Sequence, residues 1–442
     1  MDSLSPDEVL IRAFDLHTRV HCVFFPKEKA GLVARFWTHP GVGISSRFAE
    51  DALEHINRIR EAKEGDMPPK VDSSPAYPAL RSRIAELLER SPINSHRKNR
   101  VSAEDVYLYQ TGMASIYYVH QYLLKWRNAK TVLFGFAFQS TIHIFEWFGP
   151  GLQFFPLGTE LEDLEKFLQS ESAAGKPVQA VWTEFPSNPL LVSSDLARLR
   201  VLADKYHFAL VVDETISGFC NVDLLGVADI LATSLTKAFN GYADVMAGSA
   251  VLNPSSPLYA ELSPLFDGNY HNDLYSRDAE ILLQNNQDYL QRCQILDNNA
   301  TVLVNYLQSL TIDPKSSVSR VHYPSVSPTR SNYDAYKRPA TPDFKPGYGC
   351  LFSMEFDSLE SVIAFYDNIP LHCGPHLGAH RTLALPYTKA IYAKELEKVA
   401  AYGLKETQIR ISTGLEDSQE LLAKLKYAVA KADAAKEKLQ LT

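Results

Sequence analysis

Apolar residues in the middle of the chain alternate between short continuous runs and longer segments with helical spacing. The short runs, typical of buried strands, cover residues 106–109, 131–134, 178–182, 209–212 and 248–252. Segments with helical spacing, such as residues 195–206, separate them. Strands that alternate with helices predict a mostly parallel sheet covered on both faces. We therefore expect an α/β fold in this part of the chain.

The two ends of the chain show different patterns. The N-terminal part mixes short helical patterns with Pro, Gly and a charged stretch, which predicts an arm and an exposed linker. Residues 312–346 are rich in Ser, Pro, Tyr and Lys, which predicts a long irregular segment. Strand and helix patterns beyond it predict a smaller α+β unit. The expected organisation is an arm and linker (1–75), a large domain (76–311) and a C-terminal small domain (312–442).

Composition narrows the class of protein. The 442 residues are 45% hydrophobic and 22% charged, as in ordinary soluble proteins, and the net charge of -8 argues against nucleic-acid or membrane-surface partners. The acidic N-terminus has no apolar run of a targeting peptide, so we expect a cytoplasmic protein. Five dispersed cysteines without a C-x-x-C pair suggest neither a disulfide framework nor a metal site.

A lysine flanked by two hydroxyl side chains follows a strand pattern at residues 228–231. The flanking residues are Ser234 and Thr236, the lysine is Lys237, and Asp213 ends the preceding strand pattern. An amine, hydroxyl donors and a carboxylate are the groups that hold pyridoxal phosphate through a Schiff base, its phosphate and its ring nitrogen. Taken alone, Lys237 is explained at least as well as a surface lysine of an ordinary α/β protein.

Two loops supply further candidate groups. Gly112 and Met113 stand between a strand pattern and a helix pattern, where unpaired backbone N–H groups suit a phosphate. Asn188 lies in a turn bracketed by prolines after the strand at 178–182, where α/β proteins often position ligand-binding groups. Each loop by itself is also typical of a plain strand-to-helix connection.

Five ordered segments together resemble one family. They cover residues 112–113, 184–191, 211–215, 234–237 and 410–417. In this order they resemble the Cys/Met-metabolism family of pyridoxal-phosphate enzymes, and within it the fungal cystathionine γ-synthase-like branch, over residues 41–417. The resemblance implies a fold type I (aspartate-aminotransferase-like) large domain with a small C-terminal domain, and pyridoxal 5'-phosphate as cofactor. It also implies a homodimer or homotetramer with shared active sites.

The resemblance implies roles for individual residues. Lys237 would bind the cofactor and then act as the catalytic base, while Asp213 would pair with the ring nitrogen. Arg410 would bind the α-carboxylate of an amino-acid substrate through two parallel hydrogen bonds. Arg47 would reach the cofactor phosphate of a neighbouring subunit. The other implied cofactor-binding residues are Gly112, Met113, Asn188, Thr215, Ser234 and Thr236.

Three positions depart from the family pattern. Phe138 stands where the family has a tyrosine that stacks on the cofactor, so stacking is kept and the phenol is lost. His376 replaces a serine and, as a substrate-binding residue, would add a group that titrates near neutral pH. Ser45 replaces a tyrosine two residues before Arg47, which weakens the match of the arm.

The resemblance and the departures together predict a γ-substitution enzyme. Its substrate would be an O-acyl-L-homoserine, with O-acetyl-L-homoserine expected, and a nucleophile would add at Cγ of a vinylglycine-type intermediate. The departures favour a nucleophile other than cysteine, such as an enolate-type carbon nucleophile in specialised metabolism. The alternatives are a cystathionine γ-synthase that uses cysteine, a cystathionine lyase, and a noncatalytic regulatory relative.

Overall fold

The N-terminal part of the chain forms a small antiparallel sheet with two helices. The computed structural model describes residues 5–16, 18–69, 74–94 and 97–440, so residues 1–4, 17 and 70–73 of the predicted arm and linker lie outside the described residues. The sheet has the strand order β2-β1-β3. The strands and helices of this N-terminal part are β1 (Leu10–Asp15), β2 (Arg19–Phe24), α1 (Ala30–Thr38), α2 (Ser46–Glu54) and β3 (Arg60–Glu61).

The arm prediction did not foresee these three strands. Most side chains of β1 and β2 are exposed or half-buried on both faces, so neither strand shows the regular polar and apolar alternation of a half-buried strand. Pairing between the strands therefore left no clear signal in the sequence.

Seven strands build the large sheet. Its strand order is β4-β10-β9-β8-β7-β5-β6, and β10 runs in the direction opposite to the other six strands. The mostly parallel sheet is therefore confirmed. Its strands are β4 (Val106–Tyr109), β5 (Thr131–Phe134), β6 (Leu152–Phe155), β7 (Ala180–Glu184), β8 (Ala209–Asp213), β9 (Ile230–Thr233) and β10 (Gly248–Leu252).

Helices cover both faces of this sheet. Side chains alternate along each strand, so that Val132 and Phe134 face one core and Leu133 faces the other. Burial on both faces explains why the strands have continuous apolar runs. The helices are α3 (Ala76–Leu88), α4 (Gly112–Trp126), α5 (Gln139–Trp147), α6 (Leu161–Ala173), α7 (Leu196–Tyr206), α8 (Gly218–Asn221), α9 (Tyr259–Asp267), α10 (Ser276–Asn285) and α11 (Tyr289–Leu310).

The C-terminal part contains a five-stranded sheet with the order β11-β12-β15-β14-β13. Helices α13 and α16 pack against each other beside it, and together with the sheet they enclose a separate core. The elements are β11 (Val318–His322), α12 (Arg330–Asp334), β12 (Leu351–Phe356), α13 (Leu359–Asn368), β13 (His372–Cys373), β14 (Leu383–Leu385), α14 (Tyr387–Tyr392), α15 (Leu396–Ala400), β15 (Gln408–Ser412) and α16 (Ser418–Gln440).

The prediction of a long irregular segment at residues 312–346 is wrong in part. Within it, β11 pairs with β12 and buries Val318 and Val321. A register shift between Val318 and Arg320 interrupts the alternation of side chains, and the interruption removed the strand pattern from the sequence.

Helix α11 joins the two cores. Tyr289 and Cys293 near its start pack in a core of the large sheet, whereas Leu303 and Leu307 near its end pack in the core of the small sheet. The predicted boundary between residues 311 and 312 follows this helix and stays a prediction. Of the helices in the described ranges, none combines the length and apolar character needed to cross a membrane.

Candidate active site

One cavity of about 400 Å³ lies at the ends of β7, β8 and β9, beside the small sheet. Parallel strands place the residues that follow them at one edge of a sheet, where open α/β proteins bind ligands. The cavity brings together most of the residues proposed from the sequence. These are Gly112, Met113, Phe138, Asn188, Asp213, Thr215, Ser234, Thr236, Lys237 and Arg410.

Two acidic residues on neighbouring strands line the cavity. The parallel register of β7 and β8 pairs Glu184 with Asp213. Burial raises the pKa of Asp213, while hydrogen bonds from Thr215 and the charge of Lys237 oppose this shift. Burial also raises the pKa of Glu184 well above its usual range, and the negative charge of Asp213 adds to the effect. Glu184 was not assigned a role from the sequence, yet its Oε1 accepts the Phe138 N–H at 2.7 Å.

Lys237 lies in the turn that follows β9. Its own N–H donates to the Ser234 carbonyl at 3.2 Å, and its side chain lines the cavity. The pKa of Lys237 is lowered to about 8: burial contributes most, the positive charge of Arg410 acts in the same direction, and the negative charge of Asp213 opposes both. The amine is therefore far closer to its neutral, nucleophilic form than an exposed lysine would be.

The start of α4 and the turn before Lys237 approach each other closely. A Cβ added to Gly112 would lie 2.5 Å from the Ser234 Cβ, so only glycine fits this position. The Thr111 hydroxyl accepts the Ala114 N–H at 2.9 Å, whereas the N–H groups of Gly112 and Met113, at the start of α4, have no acceptor within the helix. The Ser234 N–H in turn donates to the Thr215 hydroxyl at 2.8 Å.

Thr236 is engaged within the protein as well as lining the cavity. Its hydroxyl donates to the Ala247 carbonyl at 3.2 Å and accepts the Ala247 N–H at 3.1 Å. These bonds hold the turn around Lys237 against β10 and fix the position of the hydroxyl.

Arg410 enters the cavity from β15 of the small sheet. Its guanidinium donates to the Asn188 Oδ1 at 3.1 Å and to the Pro375 carbonyl, and it lies 4.4 Å from the centre of the Tyr387 ring. Asn188 also donates to the Tyr387 hydroxyl at 3.4 Å. Tyr387 was missed from the sequence because it precedes Arg410 by 23 residues and nothing in the local pattern connects the two.

The loop that carries His376 passes close to Lys237. Gly378 has a φ of +71°, and a Cβ there would lie 2.5 Å from the Ala238 N. Pro375 and Leu377 line the cavity, with His376 between them. The expectation that His376 titrates near neutral pH is wrong: burial lowers its pKa to about 4, and the charges of Lys237 and Arg410 contribute. Its Nε2 is buried and has no hydrogen-bond partner among the described residues.

The exposed residues that line the cavity are mostly apolar, with Thr38 as a polar member. Phe138 is among these exposed residues, as are three that the sequence did not single out: Trp37, Ile44 and Met246. Trp37 and Ile44 belong to the N-terminal arm, whose Gly41 carbonyl accepts a hydrogen bond from the Thr111 hydroxyl at 2.9 Å. The arm of this chain therefore contributes to its own cavity.

Arg47 lies away from this cavity. Its guanidinium donates to the Asp278 carboxylate at 2.8 Å and to the Asp244 carbonyl at 2.7 Å. Ser45, at the position of the family tyrosine, caps α2 by accepting the Phe48 N–H at 3.2 Å. The contact expected of Arg47 concerned a neighbouring subunit and stays a prediction.

Comparisons with known proteins agree on one family. The family model described as Cys/Met metabolism PLP-dependent enzyme matches residues 91–430. The alanine racemase ungC of Aspergillus violaceofuscus is 37% identical over 93% of this chain and 73% of its own length. The cystathionine gamma-synthase-like enzyme iboG1 of Amanita muscaria is 36% identical over 94% and 78%. The cystathionine gamma-synthase of Neurospora crassa is 38% identical over 72% of this chain and 51% of its own.

Solved structures show the same fold. The cystathionine gamma synthase of Xanthomonas oryzae pv. oryzae, in complex with aminoacrylate and cysteine, has a TM-score of 0.65 at 22% identity, over 82% of this chain and 87% of that one. The cystathionine gamma-lyase of Lactobacillus plantarum gives a TM-score of 0.65 at 20% identity, over 84% and 91%.

Proposed function

The chain belongs to the Cys/Met-metabolism family of pyridoxal-phosphate-dependent enzymes, and we propose that it catalyses γ-substitution on an O-acyl-L-homoserine. It is an enzyme of a pyridoxal-phosphate-dependent family, which removes the noncatalytic alternative. The acyl group and the nucleophile are part of the proposal. Among acyl groups, acetyl is the one expected.

The residues around the cavity fit the cofactor. Lys237 offers an amine of lowered pKa, and the buried Asp213 carboxylate suits a protonated ring nitrogen of opposite charge. The close approach of Gly112 to Ser234 brings the unpaired N–H groups of α4 beside hydroxyls, as a phosphate requires. When bound, the cofactor supplies an electron sink for negative charge that develops on the substrate carbons.

The observation that carries the proposal is that Lys237 and Arg410 face one cavity from two different sheets. A guanidinium has five N–H donors, and Asn188 and Pro375 each accept a hydrogen bond from that of Arg410. The remaining donors can bind an α-carboxylate in a fixed orientation. We infer that Arg410 holds the amino acid so that its Cα and Cβ protons lie near Lys237.

Lys237 is proposed to move protons at two substrate carbons. With a pKa of about 8, roughly a tenth of the amines are neutral at pH 7, compared with far fewer for an ordinary lysine. The neutral amine can accept the proton of Cα as a general base of matched pKa. Once it has given up that proton and is neutral again, it can accept the proton of Cβ. Loss of the Cβ proton allows the acyl group at Cγ to leave.

The exposed apolar residues that line the cavity support a nucleophile other than cysteine. A cysteine co-substrate brings an ammonium and a second carboxylate, which need polar partners when they are buried. None of the four large exposed apolar residues that line the cavity, Trp37, Ile44, Phe138 and Met246, carries a charge that could pair with these groups. We therefore infer a nucleophile without an amino-acid head group, with an enolate-type carbon nucleophile as the candidate. His376, neutral near pH 7, could contribute a hydrogen bond and not a charge.

Mass spectrometry of the products tests this proposal. The enzyme is incubated with O-acetyl-L-homoserine and equal concentrations of cysteine, an amine and a β-keto acid. We expect acetate release and a Cγ adduct of the β-keto acid in excess over cystathionine. A preference for cysteine would make the protein a cystathionine γ-synthase, and a 2-oxo acid formed without any nucleophile would make it a lyase.

The similarity to an alanine racemase favours a second candidate, racemisation at Cα. Racemisation also begins with removal of the Cα proton, which Lys237 could perform, but it returns a proton on the opposite face. Phe138, at the stacking position expected from the family, has no proton to give. Chiral chromatography of L-alanine after incubation with the enzyme separates the two candidates, because D-alanine forms only in racemisation.

A further inference from the structure

The N-terminus of α5 opens into the cavity. The helix has nine residues, and its N-cap, Phe138, has no side chain that could accept a hydrogen bond from the first turn. Ser140 and Thr141 of this turn line the cavity, and both are more than nine-tenths buried. The positive end of the helix dipole is therefore directed to the cavity. Glu184 accepts the Phe138 N–H at this end, and burial raises the pKa of Glu184 well above its usual range, which favours its neutral form.

The Thr141 hydroxyl is unused within the protein. Its Oγ1 is buried and has no hydrogen-bond partner among the described residues. Leaving a buried hydroxyl unpaired destabilises a folded protein, and such groups in native structures call for an explanation. Because Thr141 also lines the cavity, a ligand oxygen is the partner that the geometry suggests.

The Ser140 hydroxyl is hydrogen-bonded to His39 of the N-terminal arm. It lies 2.9 Å from the Nδ1 of His39, whose ring packs 4.9 Å from the rings of both His143 and Trp147. Burial lowers the pKa of His39 to about 4, and the charges of His143 and Arg35 contribute, so the imidazole is neutral near pH 7. With its proton on Nδ1, His39 donates to Ser140 and leaves the serine hydroxyl free to donate into the cavity.

These donors suit an anion of low charge. Among the described residues that line the cavity, the basic side chains are Lys237 and Arg410, which are already assigned to the cofactor and the α-carboxylate. The α5 end therefore offers hydroxyl and backbone N–H donors without a formal positive charge. A carboxylate fits such a site better than a doubly charged phosphate does.

We propose that the N-terminus of α5, with the hydroxyls of Ser140 and Thr141, binds the acyl group of the amino-acid substrate and stabilises it as a leaving carboxylate. The inference rests on the proposed function. In this step the Cγ–O bond breaks and its electron pair stays on the departing carboxylate. The electron pair freed when Lys237 takes the Cβ proton forms the new bond between Cβ and Cγ. Donors directed at developing negative charge accelerate such a step most where water is excluded.

The rates of two steps of the same reaction, exchange at Cα and release of acetate, distinguish stabilisation of the leaving carboxylate from a general effect on the enzyme. Thr141→Val and Ser140→Ala each remove one hydroxyl, and Ser249→Ala is the control, because Ser249 is a buried hydroxyl without a partner that does not line the cavity. The holoenzymes react with O-acetyl-L-homoserine in D2O, and proton NMR follows deuterium exchange at Cα and release of acetate together. Exchange at Cα precedes departure of the acyl group and needs no donor at α5.

Acetate release should fall about 10²-fold in Thr141→Val and by a similar factor in Ser140→Ala, the size typical for loss of one such donor. Exchange at Cα should stay within a factor of two, and Ser249→Ala should match the wild type in both rates. Equal losses in exchange and release, or no loss in release, would overturn the inference and leave the proposed function standing. A wild-type enzyme that exchanges Cα and releases no acetate would overturn both.

Binding of acetate gives a readout that does not depend on turnover. Calorimetric titration of the holoenzyme with sodium acetate should give a dissociation constant that rises at least fivefold in Thr141→Val and stays unchanged in Ser249→Ala. Equal acetate affinity in the wild type and Thr141→Val would contradict a carboxylate site at α5.

Discussion

At the scale of single residues, burial and neighbouring charges set the pKa values of the ionisable groups in the active site. Lys237 owes its lowered pKa first to burial and then to Arg410, a residue from the other sheet. Asp213 has a raised pKa because it is buried, and Lys237 partly offsets this. In the proposed roles, an anionic carboxylate at Arg410 and a positive ring nitrogen at Asp213 would balance these charges.

Arg410→Ala should impair the use of the amino-acid substrate much more than cofactor binding. Truncation of one partner of a desolvated charge pair typically costs about 2–5 kcal/mol, and this loss should appear in kcat/KM. Arg410→Lys should fall between the wild type and Arg410→Ala, because lysine keeps the charge and loses the planar fork. Steady-state kinetics and the visible absorbance of the cofactor measure the two effects. An unchanged kcat/KM in Arg410→Ala would exclude a role in carboxylate binding.

Capture of the cofactor by the apoenzyme should rise with pH around 8. The unprotonated amine is the reacting form, and the pKa of Lys237 is lowered from near 10.5 to about 8. Stopped-flow absorbance over pH 6–10.5 measures the rate. In Arg410→Ala the midpoint should move upward, because a positive neighbour is removed. A wild-type midpoint near 10.5 would show that Lys237 is not desolvated.

At the scale of elements, the site is built from the ends of strands and the starts of helices. β7, β8 and β9 end at the acids and the lysine turn, and α4 and α5 begin beside them. The small sheet contributes Arg410 and the loop with Gly378. The positive φ of Gly378 and its close approach to Ala238 connect this loop with the lysine turn. Proper pairing of the small sheet is therefore a condition for the site.

The small sheet contains a buried acid whose effect on stability depends on pH. Glu355 of β12 lies 2.6 Å from the His322 Nε2, 2.8 Å from the Lys405 amine and 3.0 Å from the Gln408 amide. Burial would raise the pKa of Glu355, but these three hydrogen bonds outweigh it and lower the pKa to about 2. The carboxylate therefore stabilises the fold above about pH 4.5, and this contribution is lost as the pH falls towards 2.

Glu355→Gln should destabilise the protein at pH 7 by about 1.5–3 kcal/mol, the range for hydrogen bonds to charged groups. The difference from the wild type should shrink between pH 4.5 and pH 3. Urea unfolding followed by circular dichroism at several pH values measures both, with the exposed Glu437→Gln on α16 as the control. A difference that stays constant down to pH 3 would show that Glu355 is not ionised in this cluster.

At the scale of the whole molecule, exposed apolar side chains concentrate in the N-terminal arm. They include Ile11, Phe24, Trp37, Leu53 and Ile56, each about half exposed or more. The same arm supplies Trp37 and Ile44 to the cavity. An arm with this surface is expected to be covered by a second subunit, in agreement with the shared sites that the family resemblance implies.

Sedimentation velocity should therefore find a dimer or a tetramer. The double variant Leu53→Asp/Ile56→Asp should dissociate at micromolar concentration, because it places charges at two exposed apolar positions, one in α2 and one just after it, and its far-ultraviolet circular dichroism should be unchanged. A monomeric wild-type enzyme with full activity would contradict the shared active site.

Much of the fold was predictable from the sequence. The site residues were predictable only where reactive side chains lie close to one another along the chain. The limits of β4, β5 and β10 match the apolar runs because those strands are buried on both faces. β1, β2 and β11 were missed, since exposure or a bulge removes the alternation. Lys237 and Asp213 carry local signals, whereas Glu184 and Tyr387 act through neighbours that are distant in sequence.

The central claim is that Lys237 carries the cofactor, and borohydride reduction of the holoenzyme followed by peptide mapping tests it most directly. Reduction fixes the cofactor on the amine that holds it. We predict a single labelled peptide with the modification on Lys237, and no label on Lys205, an exposed lysine paired with Glu165. A label on Lys205 or on any other lysine, with Lys237 unmodified, would contradict the account.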